Sequence, residues 1–297
     1  MITLAALAGL YDRYADDLAR PVVPVQVTDD LVLADGLPTL MGVVNLSTDS
    51  TYRESIAGST EAAVHKGRVQ TAQGAAIIDL GAEASGDDAD RVGPEGQLEK
   101  LLPVVDRLSR ETVVSVETYR PQVVREVLDA GARMINLTGR EDEDEMLTAI
   151  GEHDATVLMC FGTGPNVREQ EELPTGADLA PFLVDHFAER VEHARSLGVD
   201  KIVIDPGMGF TFPNLSGLER ARLQTHTITQ SFRLRSVGVP TASVLPHNLD
   251  IFEDEFRKAE GFFTVFATLG CVHLLRVHEV PHIRTVLRAM DRLDVSR

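Results

Sequence analysis

The chain has no tryptophan and only four tyrosines among 297 residues. A sugar-binding platform built from large aromatic rings is therefore not available to it. Cysteine is nearly absent too: Cys160 and Cys271 are the only two, both inside apolar runs, and they read as buried reduced thiols rather than a disulfide or a zinc ligand set. Lysine is limited to Lys66, Lys100, Lys201 and Lys258, with arginine supplying the other positive charges. No apolar run approaches the length of a membrane span. The first residues, Met-Ile-Thr-Leu-Ala-Ala-Leu, lack a basic start and soon meet Asp12, Arg13, Asp16 and Asp17, so no targeting segment is expected and the cytoplasm is the expected location. Positive charge is in deficit overall. A formal net charge of −18 argues against nucleic acid and anionic membranes as partners, since both select basic surfaces. It leaves a small-molecule pocket open, because a local Arg/His cluster overrides a screened surface field.

What the chain does have is alternation. Apolar runs at 39–45, 75–80, 112–116, 133–137, 155–161, 201–205, 239–245 and 271–276 are separated by stretches of helical period, at about 59–73, 95–109, 120–130, 143–152, 177–197, 215–235, 250–269 and 280–293. Eight such units predict an α/β fold closed as a (β/α)8 TIM barrel. An open dinucleotide-binding sheet would want a Gly-x-Gly-x-x-Gly turn after its first strand, and Asn45-Leu46-Ser47-Thr48-Asp49 is not one. Residues 1–38 form an N-terminal extension, with a helix over Leu4 to Leu18 and a short hairpin over Val22–Val27 and Leu31–Ala34. It serves either to close the barrel's bottom or as an oligomer arm. Residues 39–297 form the barrel domain. The acidic run Glu141–Glu145 falls at a helix start, where negative charge suits the macrodipole.

Barrels of this kind keep their chemistry at the C-terminal ends of the strands. Those ends read, in order, Asn45, Asp79, Glu117, Asn136, Cys160, Asp205, Pro246-His247-Asn248, then Arg276 and His278. Glu117, Asp205 and Asn136 suit a flat heterocycle with an N–H-rich edge, because a carboxylate accepts two parallel N–H bonds from such an edge. Arg276 suits a ring face or an anion, and His278 adds a donor to a phosphate. Other barrel chemistries fit less well. A Schiff-base aldolase needs a strand-end lysine, and Lys201 begins its strand instead. A zinc or di-metal hydrolase wants several histidines at the mouth, where only His247 and His278 fall; alternation turns His273 away from Arg276. Glu117 and Asp205 could serve a glycosidase, but the aromatic platform is missing.

Six blocks, Met41–Ser50, Ile77–Gly81, Ser115-Val116-Glu117-Thr118, Ile135-Asn136, Ile204–Phe210 and Arg276–Val280, resemble the dihydropteroate synthase family in order and spacing, across about 39 to 293. That family's barrel joins a pterin methyl diphosphate to 4-aminobenzoate and releases diphosphate. The resemblance implies that Asn45 helps hold diphosphate and Mg2+, that Asn136 and Asp205 bind the pterin edge with Glu117, and that Arg276 and His278 lie against the pterin and its anionic group. Asn45, Arg276 and His278 are then the catalytic set, with Asn45 the metal ligand. Asp49, Arg53, Asp79, His247 and Asn248 are further candidates, and Asp79 matches a position of structural role.

The departures cluster. Glu117 stands where the family has aspartate, one methylene and about 1.5 Å longer. Pro246-His247-Asn248 stands for Ser-Arg-Lys, and no nearby lysine replaces the one lost. Ala84-Ser85-Gly86-Asp87 replaces the Ser-Thr-Arg-Pro loop that serves aminobenzoate. Thr48–Ser55 keeps only the first Asp-Ser of its loop, with Arg53 a new candidate anion clamp. Met159-Cys160 replaces a Met-His, and Thr211-Phe212 a Gly-Lys. The expected function is thus a dihydropteroate synthase-like transferase that binds a pterin diphosphate and transfers the pterin, or a carbon from it, to an unidentified nucleophile, with ordinary folate synthesis not expected. The alternatives are a non-catalytic pterin- or folate-binding paralogue, a methyltetrahydrofolate-dependent methyltransferase, and an ordinary synthase with substituted loops. Family members pair through late helices, and Ile251, Phe252, Phe256, Phe262, Phe263, Phe266 and Leu269 offer such a face, so a homodimer is expected.

Overall fold

The computed structural model describes residues 1–47, 55–83, 90–173 and 178–293. Eight strands form one parallel sheet: β3 (Thr39–Asn45), β4 (Ile77–Gly81), β5 (Val113–Thr118), β6 (Met134–Leu137), β7 (Thr156–Cys160), β8 (Ile202–Asp205), β9 (Ala242–Val244) and β10 (Leu274–Val277). Their order is β8-β7-β6-β5-β4-β3-β10-β9. The two ends meet at a single parallel bridge, Ile204 with Thr241, so the sheet closes as a (β/α)8 TIM barrel with one thin seam.

The strands read as nearly continuous apolar runs because both of their faces are buried. Val44, Ile78, Leu80, Val114, Val116, Ile135, Leu137, Ile202, Ile204 and Leu275 face outward under the helices. Met41, Ile77, Met134, Leu158, Val203, Ala242 and Leu274 fill the inside. Period-two alternation then carries the next inward positions, two residues on, to Asp79, Asn136, Cys160, Asp205 and Arg276. The polar strand ends thus lie on the inner face of one mouth.

The N-terminal extension has α1 (Leu4–Leu18) and an antiparallel pair, β1 (Val25–Thr28) with β2 (Leu31–Leu33). Val25, Val27 and Leu33 pack into the cluster of inward residues at the strand starts. The hairpin therefore plugs the bottom of the barrel. Burying these three side chains contributes about 1.5–3 kcal/mol each. Arg235 fixes the plug by a forked pair to Asp35, at 2.6 and 3.0 Å, and His273 reaches the same carboxylate at 3.2 Å. His273 faces away from the mouth, as alternation predicted.

The outer helices are α2 (Thr60–Gln73), α3 (Pro94–Leu108), α4 (Pro121–Asp129), α5 (Glu143–Glu152), α6 (Leu179–Ser196), α7 (Gly217–Thr229), α8 (Leu249–Phe252), α9 (Ala259–Leu269) and α10 (Val280–Arg292). Proline begins α3 and α4, where its missing N–H costs nothing. Glu143, Asp144 and Glu145 fill the first turn of α5. Two long helical stretches expected from the sequence are broken. The one over 215–235 ends at Thr229 and continues as a 3-10 turn over Ser231–Val237, which buries Phe232 and Leu234 and delivers Arg235 to Asp35. The one over 250–269 splits at Glu253, whose φ is 48°, and its charged segment Glu253–Lys258 buries nothing. The late apolar stripe divides accordingly. Phe263 and Phe266 are core, while Ile251, Phe262 and Leu269 are exposed. Cys160 is buried as expected, whereas Cys271 is only partly covered, in a turn with φ 56°. Among the described residues no helix is long and apolar enough to cross a membrane.

Candidate functional site

Four strands, β4, β5, β6 and β10, build the centre of the mouth. Asp79 on β4, fully buried, accepts hydrogen bonds from Ser115 Oγ at 2.7 Å, Asn136 Nδ2 at 3.1 Å and Arg276 Nε at 2.7 Å. Arg276 on β10 donates its other arm to Glu117 Oε2 on β5 at 2.5 Å. Two carboxylates thus share one guanidinium. Asp79 is satisfied by three donors, so the excess negative charge falls on Glu117. Burial pushes the Glu117 carboxyl up from its ordinary range, Arg276 opposes this, and Asp79 adds to it. Burial disfavours the charged guanidinium, but Glu117 and Asp79 outweigh it and hold Arg276 fully ionised. Asp79, a secondary candidate from sequence, is the hub of the network.

Asn136 spends its carbonyl oxygen as well, on the Cys160 thiol at 3.3 Å. That thiol is pushed well up by burial, with Asp205 and Glu117 adding, so it is an unreactive S–H donor. Asp205 ends β8 and accepts the N–H of Gly207 at 2.7 Å and of Val244 at 3.2 Å. The second bond crosses the thin seam, so this carboxylate also ties β8 to β9. Burial raises its pKa to about 6, against the pull of the two backbone N–H groups. Gly207 is required here: its φ is 75°, and a Cβ would lie 2.1 Å from the Phe161 carbonyl oxygen.

Asn45 closes β3. Its Nδ2 donates to Ser55 Oγ, and its carbonyl oxygen accepts the Ala57 N–H at 2.8 Å, so residues 55–57 return alongside the strand end. A Cβ added at Gly81 would sit 3.4 Å from Asn45 Oδ1 and 3.7 Å from Glu117 Oε2. The position thus lies between two oxygens of the candidate set. Asp49 and Arg53 lie outside the described residues, as do Ala84–Asp87.

The last two candidates are turned to different neighbours. Asn248, at φ 50°, is buried and donates its Nδ2 to Gln224 Oε1 on α7 at 3.1 Å, so its amide faces the outer helix layer. His247 stays at the mouth, its ring centroid 4.8 Å from that of His278. Both histidines meet Glu260, in the first turn of α9. His278 Nδ1 is 2.8 Å from Glu260 Oε1, and His247 Nε2 is 3.4 Å from the same oxygen. The carboxylate also accepts the backbone N–H groups of His278 and Glu279, at 2.9 and 3.0 Å. Burial alone would raise its pKa, but the hydrogen bonds from His247 and His278 pull it down to about 2. Burial lowers the pKa of His278, against the pull of Glu260.

Glu260 was missed from the sequence because the candidates were taken from strand ends. A signal existed: Glu260, Phe263, Thr264 and Ala267 share the buried stripe of α9, and an acid on such a stripe needs a partner. Glu83 was missed as well. It follows β4 and accepts from Tyr119 at 2.9 Å and Gln97 at 3.1 Å, beside Arg168 at 3.6 Å. With Glu117 these residues line a small cavity at the edge of the mouth. Burial and Glu83 push the Tyr119 phenol up to about 12.

The family model for pterin binding enzymes matches residues 41–278, from the middle of β3 to His278. The chain belongs to that pterin-binding family. Among curated relatives, dihydropteroate synthase of Synechocystis is 28% identical over 260 residues, covering 86% of this chain and 89% of the relative. The Escherichia coli enzyme is also 28% identical, over 262 residues, with 86% and 91% covered. Among solved structures, dihydropteroate synthase of Xanthomonas albilineans with 4-aminobenzoic acid superposes with a TM-score of 0.75 at 26% identity, covering 92% of this chain and all of the other. The same enzyme has been solved with indole-2-carboxylic acid and 6-chloroguanine, at a TM-score of 0.73. The family resemblance read from the six sequence blocks and the barrel predicted from the eight alternating units are both correct.

Proposed function

We propose that this chain is a dihydropteroate synthase-like transferase. It takes a pterin diphosphate at the barrel mouth and transfers the pterin-methyl group to a nucleophile other than 4-aminobenzoate, the carbon–nucleophile bond forming as the carbon–oxygen bond to diphosphate breaks and diphosphate leaves. The observation that carries the reading is the convergence of Asn45, Glu117, Asn136, Asp205 and Arg276 on one inward-facing mouth. The relative solved with a 6-chloroguanine ligand supports a flat bicyclic heterocycle as occupant. The altered loops, with Ala84–Asp87 and Pro246-His247-Asn248 in place of the family's blocks, support a changed second substrate. The protein is taken to work in the cytoplasm as a homodimer.

In this mechanism Asp205 and Asn136 accept and donate along the ring edge, and the ligand replaces the hydrogen bonds they now make within the barrel. Glu117 holds Arg276 in place across the mouth, and Arg276 faces the ring or the anion. His278 and Asn45 take the diphosphate. The Asn45 side-chain oxygen at the end of β3 is a hard donor of the kind Mg2+ prefers, so Asn45 is the residue that would hold Mg2+. When bound, that ion neutralises charge on the departing diphosphate. Closing the mouth against water favours capture of the electron-poor carbon by the nucleophile.

Calorimetric titration with 6-hydroxymethyl-7,8-dihydropterin diphosphate, with and without Mg2+ and then with 4-aminobenzoate, tests this. Micromolar binding without pteroate formation is the expected result. Absence of binding under all conditions overturns the pterin reading, and efficient pteroate formation overturns the changed nucleophile. A binding paralogue without turnover is the second reading. The capture of Arg276 by two carboxylates favours it, because the cation is then less available to an anion. Failure to consume the diphosphate with any amine, thiol or phenol offered would select it.

A further inference from the structure

The geometry points to a zinc-class divalent metal site formed by His247, Glu260 and His278 at the rim of the mouth. One ligand atom from each residue lies within 4.8 Å of the other two. The Glu260 Oε1 atom is 2.8 Å from His278 Nδ1 and 3.4 Å from His247 Nε2. Tetrahedral zinc, with bonds of about 2.0–2.1 Å, sets its ligands roughly 3.3 Å apart. The two distances to Glu260 Oε1 lie on either side of that separation.

The donors select the ion. Two imidazoles and one carboxylate suit zinc, cobalt or nickel, and leave a fourth position open for water or an anion. Magnesium prefers six oxygens, so this is not the place expected for it. The anchors are firm. Glu260 is fully buried in the first turn of α9, and its carboxylate is oriented by the backbone N–H groups of His278 and Glu279. Such outer contacts fix a metal-binding carboxylate before the ion arrives. His278 follows directly on β10, and His247 follows β9. His278 presents the Nδ1 lone pair once the ring proton sits on Nε2. If Glu260 served only to hold the turn into α10, the backbone donors would suffice. Two imidazoles gathered on one of its oxygens add the nitrogen donors that a zinc-class ion takes.

The site does not depend on the pterin reading, and its test uses no turnover. Untagged full-length protein is stripped with chelator and titrated with Co2+, followed by visible ligand-field absorption, and with Zn2+ by calorimetry. One metal per chain is expected, with tetrahedral-type cobalt bands that excess Mg2+ does not displace. His247→Ala and Glu260→Gln each weaken binding by about tenfold or more, the scale on which metal sites respond to lost support. His193→Ala, at an exposed histidine in the last turn of α6 paired with Asp144 of α5, leaves it unchanged. Glu260→Gln also disturbs the turn, so its fold is checked by circular dichroism, and His247→Ala decides if it does not fold. No cobalt bands, or equal affinity in His247→Ala, would overturn the site.

Discussion

Two ionic clusters adjoin at one barrel mouth, linked by β10, which carries Arg276 and leads into His278, and they handle a buried charge differently. In the first, Arg276 is held between Asp79 and Glu117, so a permanent cation stands among two acids and every partner comes from the strands. In the second, Glu260 is a buried anion held by backbone N–H groups and flanked by two imidazoles that need not be charged. The first cluster contains its own counter-ion and closes on itself. The second meets its charge with backbone dipoles and two imidazoles. One end of the fold therefore holds two answers to a buried charge, an internal ion pair and an acid met by hydrogen-bond donors.

The largest effect should come from removing the shared cation. Arg276→Met leaves Asp79 and Glu117 facing one another with no positive partner, and breaking a buried pair from one side costs about 3–5 kcal/mol. Urea unfolding measures this, and a loss below about 1 kcal/mol would mean that the network is not the structural hub it looks to be. Pterin diphosphate binding should disappear in the same variant if it retains its fold.

Titration separates the strand-end acid at the seam from the helix acid. Asp205 has its pKa raised by burial to about 6, so its contribution to stability is present below the unfolded value of 3.8 and is lost as pH rises through 6. A shift of this size corresponds to about 3 kcal/mol. Glu260 runs the other way. Its pKa is lowered to about 2 by hydrogen bonds that overcome burial, so its contribution is present above 4.5 and lost as pH falls through 2. Unfolding of metal-free protein across pH 2–7 should show both slopes. Asp205→Asn should remove the one between about pH 4 and 6, and Glu260→Gln the one at the acid end. A profile for Asp205→Asn parallel to that of the parent would contradict the raised value.

The contrast also explains what could be read before the fold was known. A strand turns alternate residues to one face, so Asp79, Asn136, Asp205 and Arg276 could be gathered from linear spacing alone, and the barrel with them. Spacing could not show what those side chains hold. The extra methylene of Glu117 reads in sequence as a misplaced ligand, while in the fold it spans the mouth to Arg276. Asn248 sits where the family's lysine enters the pocket, but a positive φ sends its amide to Gln224 on α7 instead. Glu260 lies on a helix and reaches the mouth only because α9 packs its buried stripe against β10's end, a relation no local pattern encodes. Helix ends were legible where proline or serine marks them, as at Pro94, Pro121 and Ser59. They were not legible at Thr229 and Glu253, where tertiary contacts and a solvated charge run decide.

The smallest effect sharpens the contrast most. His247→Ala, in metal-free protein, removes one arm of the second cluster, and the side chain lost is about one-fifth exposed, at 21%. Glu260 keeps its backbone donors and His278, so no charge is left unmet. A partly exposed pair of this kind contributes under about 1 kcal/mol. Thermal unfolding of the stripped variant should therefore nearly coincide with that of the parent, and the two should separate only when Zn2+ is added, because binding to the folded state alone raises apparent stability. A large loss without metal would place His247 in the same class as Arg276, an internal counter-ion rather than a waiting ligand, and the distinction between the two clusters would fall.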